Sequence, residues 1–503
     1  MQQEPSTVAD IARSHARRSP DRIALDDGNR RLTYAQLDAM ADALAQGLVA
    51  AGVRQGDVVG WSLPAGLASA VSVLAIARSG AILCPLNPRY RPGELAPLLL
   101  QARPRVVLAG EGTRDVLGLA GAQAGVGFRL LALDDPGDLD DLVHAPAWAR
   151  AQAPLPRVDA GNDFTLLFTS GTTGRPKGAV ATHGSRMAWI RSAPDVYGIG
   201  ADDRFLSAMP QSHSAGLTFT LIHLHAGATV RLLDRFDPQR VLRAAREEGI
   251  TSLLAVPTML RRLLDALPPG APPLTGLRRL VTCGSPLPAD TREQALERLS
   301  PQLYDYFGCT ESSSVSVLRP HEQRTRAGSV GKPYPGVRVQ VVDADGNSCR
   351  PGEVGQVRCD NPSTMRGYWN DPQATAAAFD GPWYRTGDLG HLDADGYLFI
   401  AGRAGDMVIS GGINIHPAEV EQVLQQHPAI AEAAVAGVPD PVWGRALKAY
   451  VVLREGAALS LDDIQRHCAR HLADFKKPRS VRFLAALPRN AAGKVVRSEL
   501  ESC

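Results

Sequence analysis

Short apolar runs that alternate with helical stretches are the feature that most constrains the fold of this chain. Residues 58–63 and 81–86 are two such runs, and the apolar stretch 65–76 between them has the length and composition of a buried helix. Alternation of this kind predicts βαβ units and a mainly parallel sheet. The pattern returns in the strands 105–109, 227–233, 251–256 and 280–283 and in the helix 238–248.

The character of the sequence changes after about Asp343. Turn signals rich in Asp and Gly now separate short strands such as 356–359 and 397–400, which indicates a compact β-rich subdomain. A smaller α+β unit of about 100 residues follows from about Asp406. We therefore predict an α/β protein: a large N-terminal domain of parallel-rich αβα subdomains with a β-rich subdomain, and a small α+β C-terminal domain.

Charge and cysteine usage exclude several classes of protein. The 503 residues include 54 Lys and Arg against 52 Asp and Glu, a net charge of +2, so nothing indicates a nucleic-acid partner. The seven cysteines are scattered without a C-x-x-C pair, which argues against a zinc site or a disulfide framework. The N-terminus is polar and no apolar run is long enough for a membrane span. We expect a cytoplasmic protein without a membrane span.

The strongest local signal is a loop rich in glycine and hydroxyl groups that follows the apolar run 164–168. Glycines allow close approach of the backbone, hydroxyls donate hydrogen bonds and Lys177 adds positive charge, as a loop that wraps phosphates requires. It is not a Walker A loop, and a Gly/Thr surface turn is the alternative. The loop reads Thr169, Ser170, Gly171, Thr172, Thr173, Gly174, Arg175, Pro176, Lys177, Gly178.

This loop resembles the phosphate-binding signature of the acyl-adenylate-forming superfamily, which includes acyl- and aryl-CoA synthetases, peptide-synthetase adenylation domains and luciferases. Four further segments agree with that superfamily in the same order. They are Phe307-Gly308-Cys309-Thr310-Glu311 (Y-G-x-T-E), Tyr384-Arg385-Thr386-Gly387-Asp388 (Y-R-T-G-D), Gly402-Arg403-Ala404-Gly405-Asp406 (G-R-x-D-D) and the C-terminal lysine motif Pro488-Arg489-Asn490-Ala491-Ala492-Gly493-Lys494.

The resemblance implies ATP, Mg²⁺ and coenzyme A (CoA) as cofactors and assigns roles to the matching residues. Lys494 would bridge the substrate carboxylate and the α-phosphate, Thr310 would touch that phosphate, and Glu311 would hold Mg²⁺. Asp388, assisted by Arg403, would bind the ribose hydroxyls, since a carboxylate can accept two hydrogen bonds. The adenine slot would be formed by Asp305, Phe307 and Gly308 on one side and by Gly284, Ser285 and Pro286 on the other.

The acid would lie beside His213, which matches an aromatic or His position of the family, although a hydrogen-bonded loop histidine is the alternative. The pocket is small and partly polar, which favours a small or medium acyl or aryl acid over a long apolar chain. The sequence identifies no counter-charge for a second carboxylate. The other expected pocket residues are Ser214, Ala215, Cys283, Tyr306, Ser313 and Ser314.

The resemblance also implies two conformations, in which the small domain turns after adenylation. The domains would then be 1–402 for ATP and acid, a hinge at 403–406, and a lid at 407–503. Gly405 departs from the family's Asp or Lys, and we interpret it as a looser hinge because glycine has the broadest backbone freedom.

The identity of the thiol acceptor is the main question that the sequence leaves open. Residues matching CoA-binding positions of 4-halobenzoate:CoA ligase-like enzymes favour free CoA, and a carrier-protein thiol is the rival. An ATP-binding regulator, a luciferase and a dinucleotide-dependent oxidoreductase find no positive support. We expect a monomer or homodimer. The CoA-binding candidates are Gly411, Gly412, Trp443, Phe475, Lys477 and Arg479.

Overall fold

A computed structural model describes residues 5–133, 151–169, 176–406, 408–410, 413–415, 417–440, 444–472, 476–490 and 495–500. Its helices are α1 (Ile11–Arg18), α2 (Tyr34–Ala50), α3 (Leu67–Arg78), α4 (Pro92–Ala102), α5 (Arg114–Ala124), α6 (His183–Tyr197), α7 (Ser214–His225), α8 (Pro238–Glu247), α9 (Pro257–Ala266), α10 (Ala289–Arg298), α11 (Pro372–Ala378), α12 (Pro417–Gln425), α13 (Leu461–Ala469) and α14 (Arg497–Leu500).

Strands account for most of the remaining regular structure. They are β1 (Ile23–Asp26), β2 (Arg31–Thr33), β3 (Val58–Ser62), β4 (Ile82–Pro85), β5 (Val106–Ala109), β6 (Arg129–Ala132), β7 (Asp163–Thr169), β8 (Lys177–Thr182), β9 (Arg204–Ser207), β10 (Thr229–Leu232), β11 (Ser252–Leu254), β12 (Arg279–Cys283), β13 (Leu303–Cys309), β14 (Ser313–Leu318), β15 (Lys332–Pro333), β16 (Arg338–Val342), β17 (Gly355–Asp360), β18 (Gly367–Tyr368), β19 (Phe379–Asp380), β20 (Trp383–Leu392), β21 (Leu398–Arg403), β22 (Val408–Ser410), β23 (Ile413–Ile415), β24 (Ile430–Asp440), β25 (Gly444–Leu453) and β26 (Ser480–Phe483).

The first large sheet has seven strands in the order β18-β8-β7-β4-β3-β5-β6. Strands β7, β4, β3, β5 and β6 run parallel, and β8 and β18 extend the edge antiparallel. Helix α3 connects β3 to β4, and every one of its residues is buried, as its lack of charged residues before Arg78 predicts. The predicted βαβ unit is confirmed.

The second large sheet has nine strands in the order β15-β14-β13-β12-β11-β9-β10-β1-β2. Its centre, from β13 to β1, is parallel, while β2, β14 and β15 are antiparallel edges. One hydrophobic core joins the two large sheets through α2, α3, α6 and α7. The carboxyl ends of parallel strands such as β12 and β13 form the sheet edge where α/β proteins bind ligands.

Local signals explain how individual elements begin and end. The hydroxyl of Thr33 accepts from the backbone N of Gln36 at 3.2 Å, and the Gln36 amide oxygen accepts from the backbone N of Thr33 at 2.9 Å. This capping box starts α2 at Tyr34. The buried face of α2 carries the apolar residues Leu37, Met40, Ala41, Leu44 and Leu48.

The rest of the described chain forms the predicted β-rich and small α+β units. Strands β16-β17-β20-β19 make an antiparallel sheet, and β21 pairs with β20. The three strands β24-β25-β26 pack with α12 and α13 around a separate hydrophobic cluster. The predicted fold class is confirmed. Among the described residues, no helix combines the length and apolarity that crossing a bilayer requires.

Candidate active site

The site is organised by the antiparallel pair β13 and β14, which follow the parallel strands of the second large sheet. The pairing shifts by one residue between Phe307 and Gly308, so β14 carries a bulge at Val315, opposite these two residues. A Cβ on Gly308 would lie 1.9 Å from the backbone oxygen of Ser313, which explains why glycine stands there. The turn after the bulge presents Thr310 half-buried and Glu311 buried.

Glu311 connects three elements of the fold. Its Oε1 accepts hydrogen bonds from the hydroxyl of Thr169, at 3.1 Å, and from the hydroxyl of Tyr368, at 3.2 Å. Thr169 ends β7, so the carboxylate lies where the predicted phosphate loop begins. Lys177, where the chain re-enters the sheet, places its Nζ 5.3 Å from the centre of the Tyr368 ring. Ser170, Gly171, Thr172, Thr173 and Gly174 lie outside the described residues.

The ionisable groups beside Glu311 are held in their neutral forms. Burial and the Glu311 charge raise the pKa of Tyr368, so its hydroxyl stays a donor. Burial, with a smaller contribution from Glu311, raises the pKa of the Cys309 thiol, which lies 3.1 Å from the Ser312 hydroxyl. Burial first, and Cys309 next, raise the pKa of Tyr384. Tyr368, Cys309 and Tyr384 are therefore neutral neighbours of Glu311.

The predicted adenine slot lies at the carboxyl ends of β12 and β13. Cys283 and Tyr306 pair in register, so Gly284, with φ +89°, leaves the sheet directly beside Phe307. Asp305 is buried, and this burial raises its pKa to about 7, against an opposing contribution from Arg292. Ser285 and Pro286 are exposed at the same edge.

The predicted ribose site lies on the β-rich subdomain. Asp388 in β20 and Arg403 in β21 are register partners, and Arg403 Nε lies 2.9 Å from Asp388 Oδ1. The Asp388 side chain is buried, whereas 40% of the Arg403 side chain is exposed. Burial lowers the pKa of Arg403, but the charge of Asp388 and smaller contributions from Cys309, Glu311 and Tyr384 together raise it above its usual value, so the guanidinium stays charged. The exposed part of the Arg403 side chain is the part of this pair that faces solvent.

The predicted acid pocket lies where α7 begins. His213 occupies the residue before the helix, and burial lowers its pKa, so the imidazole is neutral at pH 7. Ser214 and Ala215 are half-buried, while Cys283, Tyr306, Ser313 and Ser314 are buried. The Tyr306 ring packs against Trp189 and Phe219, with ring centres 5.6 Å and 5.9 Å apart.

Only some of the predicted CoA-binding residues lie within the described part of the chain. Gly411, Gly412, Trp443, Phe475 and Lys494 lie outside the described residues. Lys477 is half-buried, and Arg479 is exposed, with its backbone N donating to the carbonyl of Leu447 at 2.8 Å.

Gly405 lies in a single 3₁₀ turn, Ala404–Asp406. Among the described residues, nothing lies within 4 Å of an added Cβ at Gly405, and its φ is outside the left-handed region. This conformation does not require glycine, so the looser hinge stays a hypothesis.

Comparisons with known proteins decide the family. Residues 12–369 match the family described as AMP-binding enzyme, and residues 419–494 match the AMP-binding enzyme C-terminal domain. The chain belongs to the AMP-binding enzyme family. The resemblance inferred from the five motifs is thereby confirmed.

Relatives of this AMP-binding enzyme align over nearly their whole length. Indoleacetate–CoA ligase of Aromatoleum aromaticum is 34% identical, covering 97% of this chain and 96% of the relative. Sulfoacetate–CoA ligase of Cupriavidus necator is 34% identical, covering 98% and 97%. A fatty acid–[acyl-carrier-protein] ligase of Streptomyces coeruleorubidus is 34% identical, covering 98% and 96%.

A solved structure agrees with this assignment. O-succinylbenzoate coenzyme A synthetase of Bacillus subtilis in complex with AMP superimposes with a TM-score of 0.87 at 31% identity, covering 98% of each chain. The predicted reaction class, an AMP-forming acyl-CoA ligase that uses ATP, Mg²⁺ and CoA, is confirmed.

Two residues of this AMP-binding enzyme were missed by reasoning from the sequence. Tyr368 touches Glu311 but lies outside every motif. Arg186 is buried in α6 beside Ser214 and Ser313, at 3.5 Å and 3.4 Å from their hydroxyls. A signal for Arg186 existed: it stands at helical spacing with the buried residues Trp189, Ile190, Ala193 and Tyr197.

Proposed function

We propose that this ligase activates a small or medium-sized acyl or aryl acid at the carboxyl edge of β12 and β13. The observation that carries the proposal is the junction at Glu311, where hydroxyls from two other elements hold one carboxylate next to the predicted phosphate loop. Such an arrangement suits a carboxylate that must be in position before a nucleotide arrives, because ordering it on binding would cost entropy.

The residues fit a magnesium ion carried by ATP. No group of three His, Cys, Asp or Glu within the described ranges can hold a metal by itself. Mg²⁺ commonly binds through one or two carboxylates together with substrate phosphates, and Glu311 supplies one such carboxylate. When bound there, the ion would offset negative charge on the phosphates.

The remaining roles concern binding and orientation. Asp388 and Arg403 would hold the ribose, and Asp305 and Phe307 would contact adenine. His213 has a buried Nε2 without a hydrogen-bond partner in the described part of the chain, and we assign that atom to the acid. Lys494 would bring positive charge to the carboxylate and the α-phosphate.

The two half-reactions need positioning more than acid–base chemistry. In the first, a carboxylate oxygen bonds to the α-phosphorus and the bond to pyrophosphate breaks, so no proton must move. In the second, the thiol loses its proton and bonds to the acyl carbon, and the bond to AMP breaks. We propose the division 1–402, 403–406 and 407–503, in which the C-terminal lid supplies first Lys494 and then the thiol channel.

The acceptor and the setting are finer proposals. The names of most of the relatives favour free CoA as the acceptor. One relative is named a fatty acid–[acyl-carrier-protein] ligase, so a carrier-protein thiol remains the alternative. The acids in those names range from indoleacetate to sulfoacetate and fatty acids, so the names alone do not select one class. ATP and CoA as substrates fit the proposed cytoplasmic location, with the enzyme acting as a monomer or homodimer.

Pyrophosphate release tests the proposal. The enzyme is incubated with ATP, Mg²⁺ and a panel of aliphatic, aryl and dicarboxylic acids, with and without CoA, and the thioester and AMP are measured. We expect one acid class to give release that CoA amplifies. Lys494→Ala should abolish release, while Lys448→Ala, on β25 of the same unit, should leave it unchanged.

Two outcomes would contradict parts of the proposal. If an acid gives pyrophosphate release that CoA does not change but a holo-carrier protein increases, the acceptor is the carrier-protein thiol and not free CoA. Silence of the wild-type enzyme with every acid would contradict the activity itself.

A further inference from the structure

Arg186 is a buried cation surrounded by hydroxyl groups. Only 1% of its surface is exposed. Its guanidinium donates toward four side chains, at 3.3 to 3.5 Å, whereas N–H···O bonds in proteins centre near 2.9–3.0 Å. All four hydrogen bonds are therefore long. The acceptors are the hydroxyls of Thr165 in β7, Ser214 and Thr218 in α7, and Ser313 in β14.

A second buried arginine shows what a paired site looks like in the same molecule. The Arg78 side chain is also 1% exposed, and it forms ion pairs with Asp38 and, at 2.9 Å, with Asp42. Within the described part of the chain, the partners of Arg186 are hydroxyl groups only. A buried charge is normally paired, so this environment lacks the anion that would complete it.

The guanidinium stays charged at neutral pH. Burial lowers the pKa of Arg186 to about 10, with a smaller opposing contribution from Tyr306. That value still lies about three units above pH 7, so the group is a cation during catalysis. Its planar fork matches the geometry of a carboxylate, which can accept two parallel hydrogen bonds.

The position of Arg186 places this charge at the acid pocket. Ser214 and Ser313 are pocket residues by the motif match, and Ser214 is half-buried, so it marks the side nearest to solvent. Two neighbouring buried atoms, His213 Nε2 and Ser314 Oγ, have no hydrogen-bond partner among the described residues. The pocket wall therefore combines one cation with several groups able to donate hydrogen bonds.

We propose that Arg186 binds a second anionic group of the substrate. The preferred acid of this ligase would then carry a carboxylate or a sulfonate in addition to the carboxylate that is adenylated. This inference rests on the proposed function, because it assigns the substrate class of the same pocket. The competing explanation is structural: Arg186 joins β7, α7 and β14 through its four hydroxyl contacts.

Matched substrate pairs separate these two explanations. Each diacid, from malonate to adipate, is compared with its half methyl ester, and sulfoacetate is compared with acetate. Replacing the second anion by an ester removes a hydrogen-bonded charge pair. Such a loss should lower kcat/KM by roughly 10- to 100-fold. We expect the wild-type enzyme to prefer the anionic member of a fitting pair by that factor in pyrophosphate release.

Variants then test the residue. Arg186→Gln should lower kcat/KM for the diacid by the same factor and change that for the half ester by less than threefold. Arg191→Gln, an exposed arginine on the same helix, is the matched control and should change neither. If Arg186→Gln fails to fold, Arg186→Lys keeps the charge without the fork and should retain part of the preference.

A binding measurement keeps the inference separate from the proposed activity. We expect a fitting diacid alone to raise the thermal midpoint of the wild-type enzyme but not of Arg186→Gln, and the half ester to raise neither. This rise in thermal midpoint would support the inference even if no acid released pyrophosphate. If the diacid causes no rise and no acid releases pyrophosphate, both proposals are overturned. A wild-type enzyme that activates diacids and half esters equally, or a folded Arg186→Gln that loses both equally, overturns the inference alone.

Discussion

Asp305 is a buried carboxylate whose charge should destabilise the fold. Its pKa is raised from 3.8 to about 7 because burial removes water, while Arg292 compensates only in part. A shift of this size corresponds to at most about 4 kcal/mol between the charged and neutral forms, at about 1.36 kcal/mol per unit. Asp305→Asn keeps the shape and removes the charge. We expect the variant to unfold at a higher temperature than the wild-type enzyme at pH 8.

The pH dependence of this difference follows from the direction of the shift. A group whose pKa is higher in the folded state binds its proton more tightly there, so its contribution to stability is full below pH 3.8 and is lost as the pH rises to about 7. The advantage of Asp305→Asn should therefore be near zero at pH 4, grow through pH 5 and 6, and level off above pH 7.

Thermal melts of both proteins from pH 5 to pH 8 measure this curve. Asp463→Asn is a control of opposite sign. The pKa of Asp463 is lowered to about 2 by hydrogen bonds from Ser460 and Arg466, so its contribution to stability is present above pH 4. This variant should be less stable than the wild-type enzyme by an amount that does not vary from pH 5 to pH 8. An Asp305→Asn variant that is equally or less stable at pH 8, or whose advantage is flat with pH, would refute the reasoning.

Two further predictions concern the bulge and its turn. Gly308→Ala should destabilise the enzyme by about 1–3 kcal/mol and weaken ATP binding, because the new Cβ meets the backbone oxygen of Ser313 at 1.9 Å, whereas Gly118→Ala in the exposed part of α5 should stabilise it by about 0.5–1 kcal/mol. Thermal melts and ATP titrations check this pair, and a Gly308→Ala enzyme with unaltered stability would contradict it. Glu311→Gln should raise the Mg²⁺ concentration needed for half-maximal pyrophosphate release at least tenfold, since the proposed ligand loses its charge. Tyr368→Phe removes one of the two hydroxyls that donate to Glu311 and should give a smaller shift in the same direction. Unchanged Mg²⁺ titrations in both variants would refute the assignment of Glu311 as the Mg²⁺ ligand.

The elements of the fold were predictable because their signals are local. Thr33 and Gln36 lie three residues apart and fix the start of α2. The strands around residues 58–63 and 81–86 are recognisable because they are buried throughout and are separated by a helix of continuous apolar character. Signals of this kind need no knowledge of the tertiary structure.

The contacts within the site could be predicted only in part. Motifs identified Glu311, Asp388 and Arg403 as a set, but their partners come from distant segments. Tyr368 stands 57 residues from Glu311 along the chain, and Arg186 stands 127 residues from Ser313. Such pairs depend on how two sheets pack, and a single sequence does not reveal that packing. Arg186 was also disguised by its residue type, since arginine is usually exposed.

The pairing of Asp388 with Arg403 has a consequence for the intermediate of the reaction. Arg403 is the last residue of β21, and the 3₁₀ turn Ala404–Asp406 follows at once. If the lid turns after Arg403, within the proposed hinge, Asp388 and Arg403 would stay with the β-rich sheet and would not move with the lid. The acyl-adenylate would then remain bound through its ribose while the lid replaces Lys494 with the thiol channel. The reactive anhydride would thus be kept from escaping during the interval in which water could hydrolyse it.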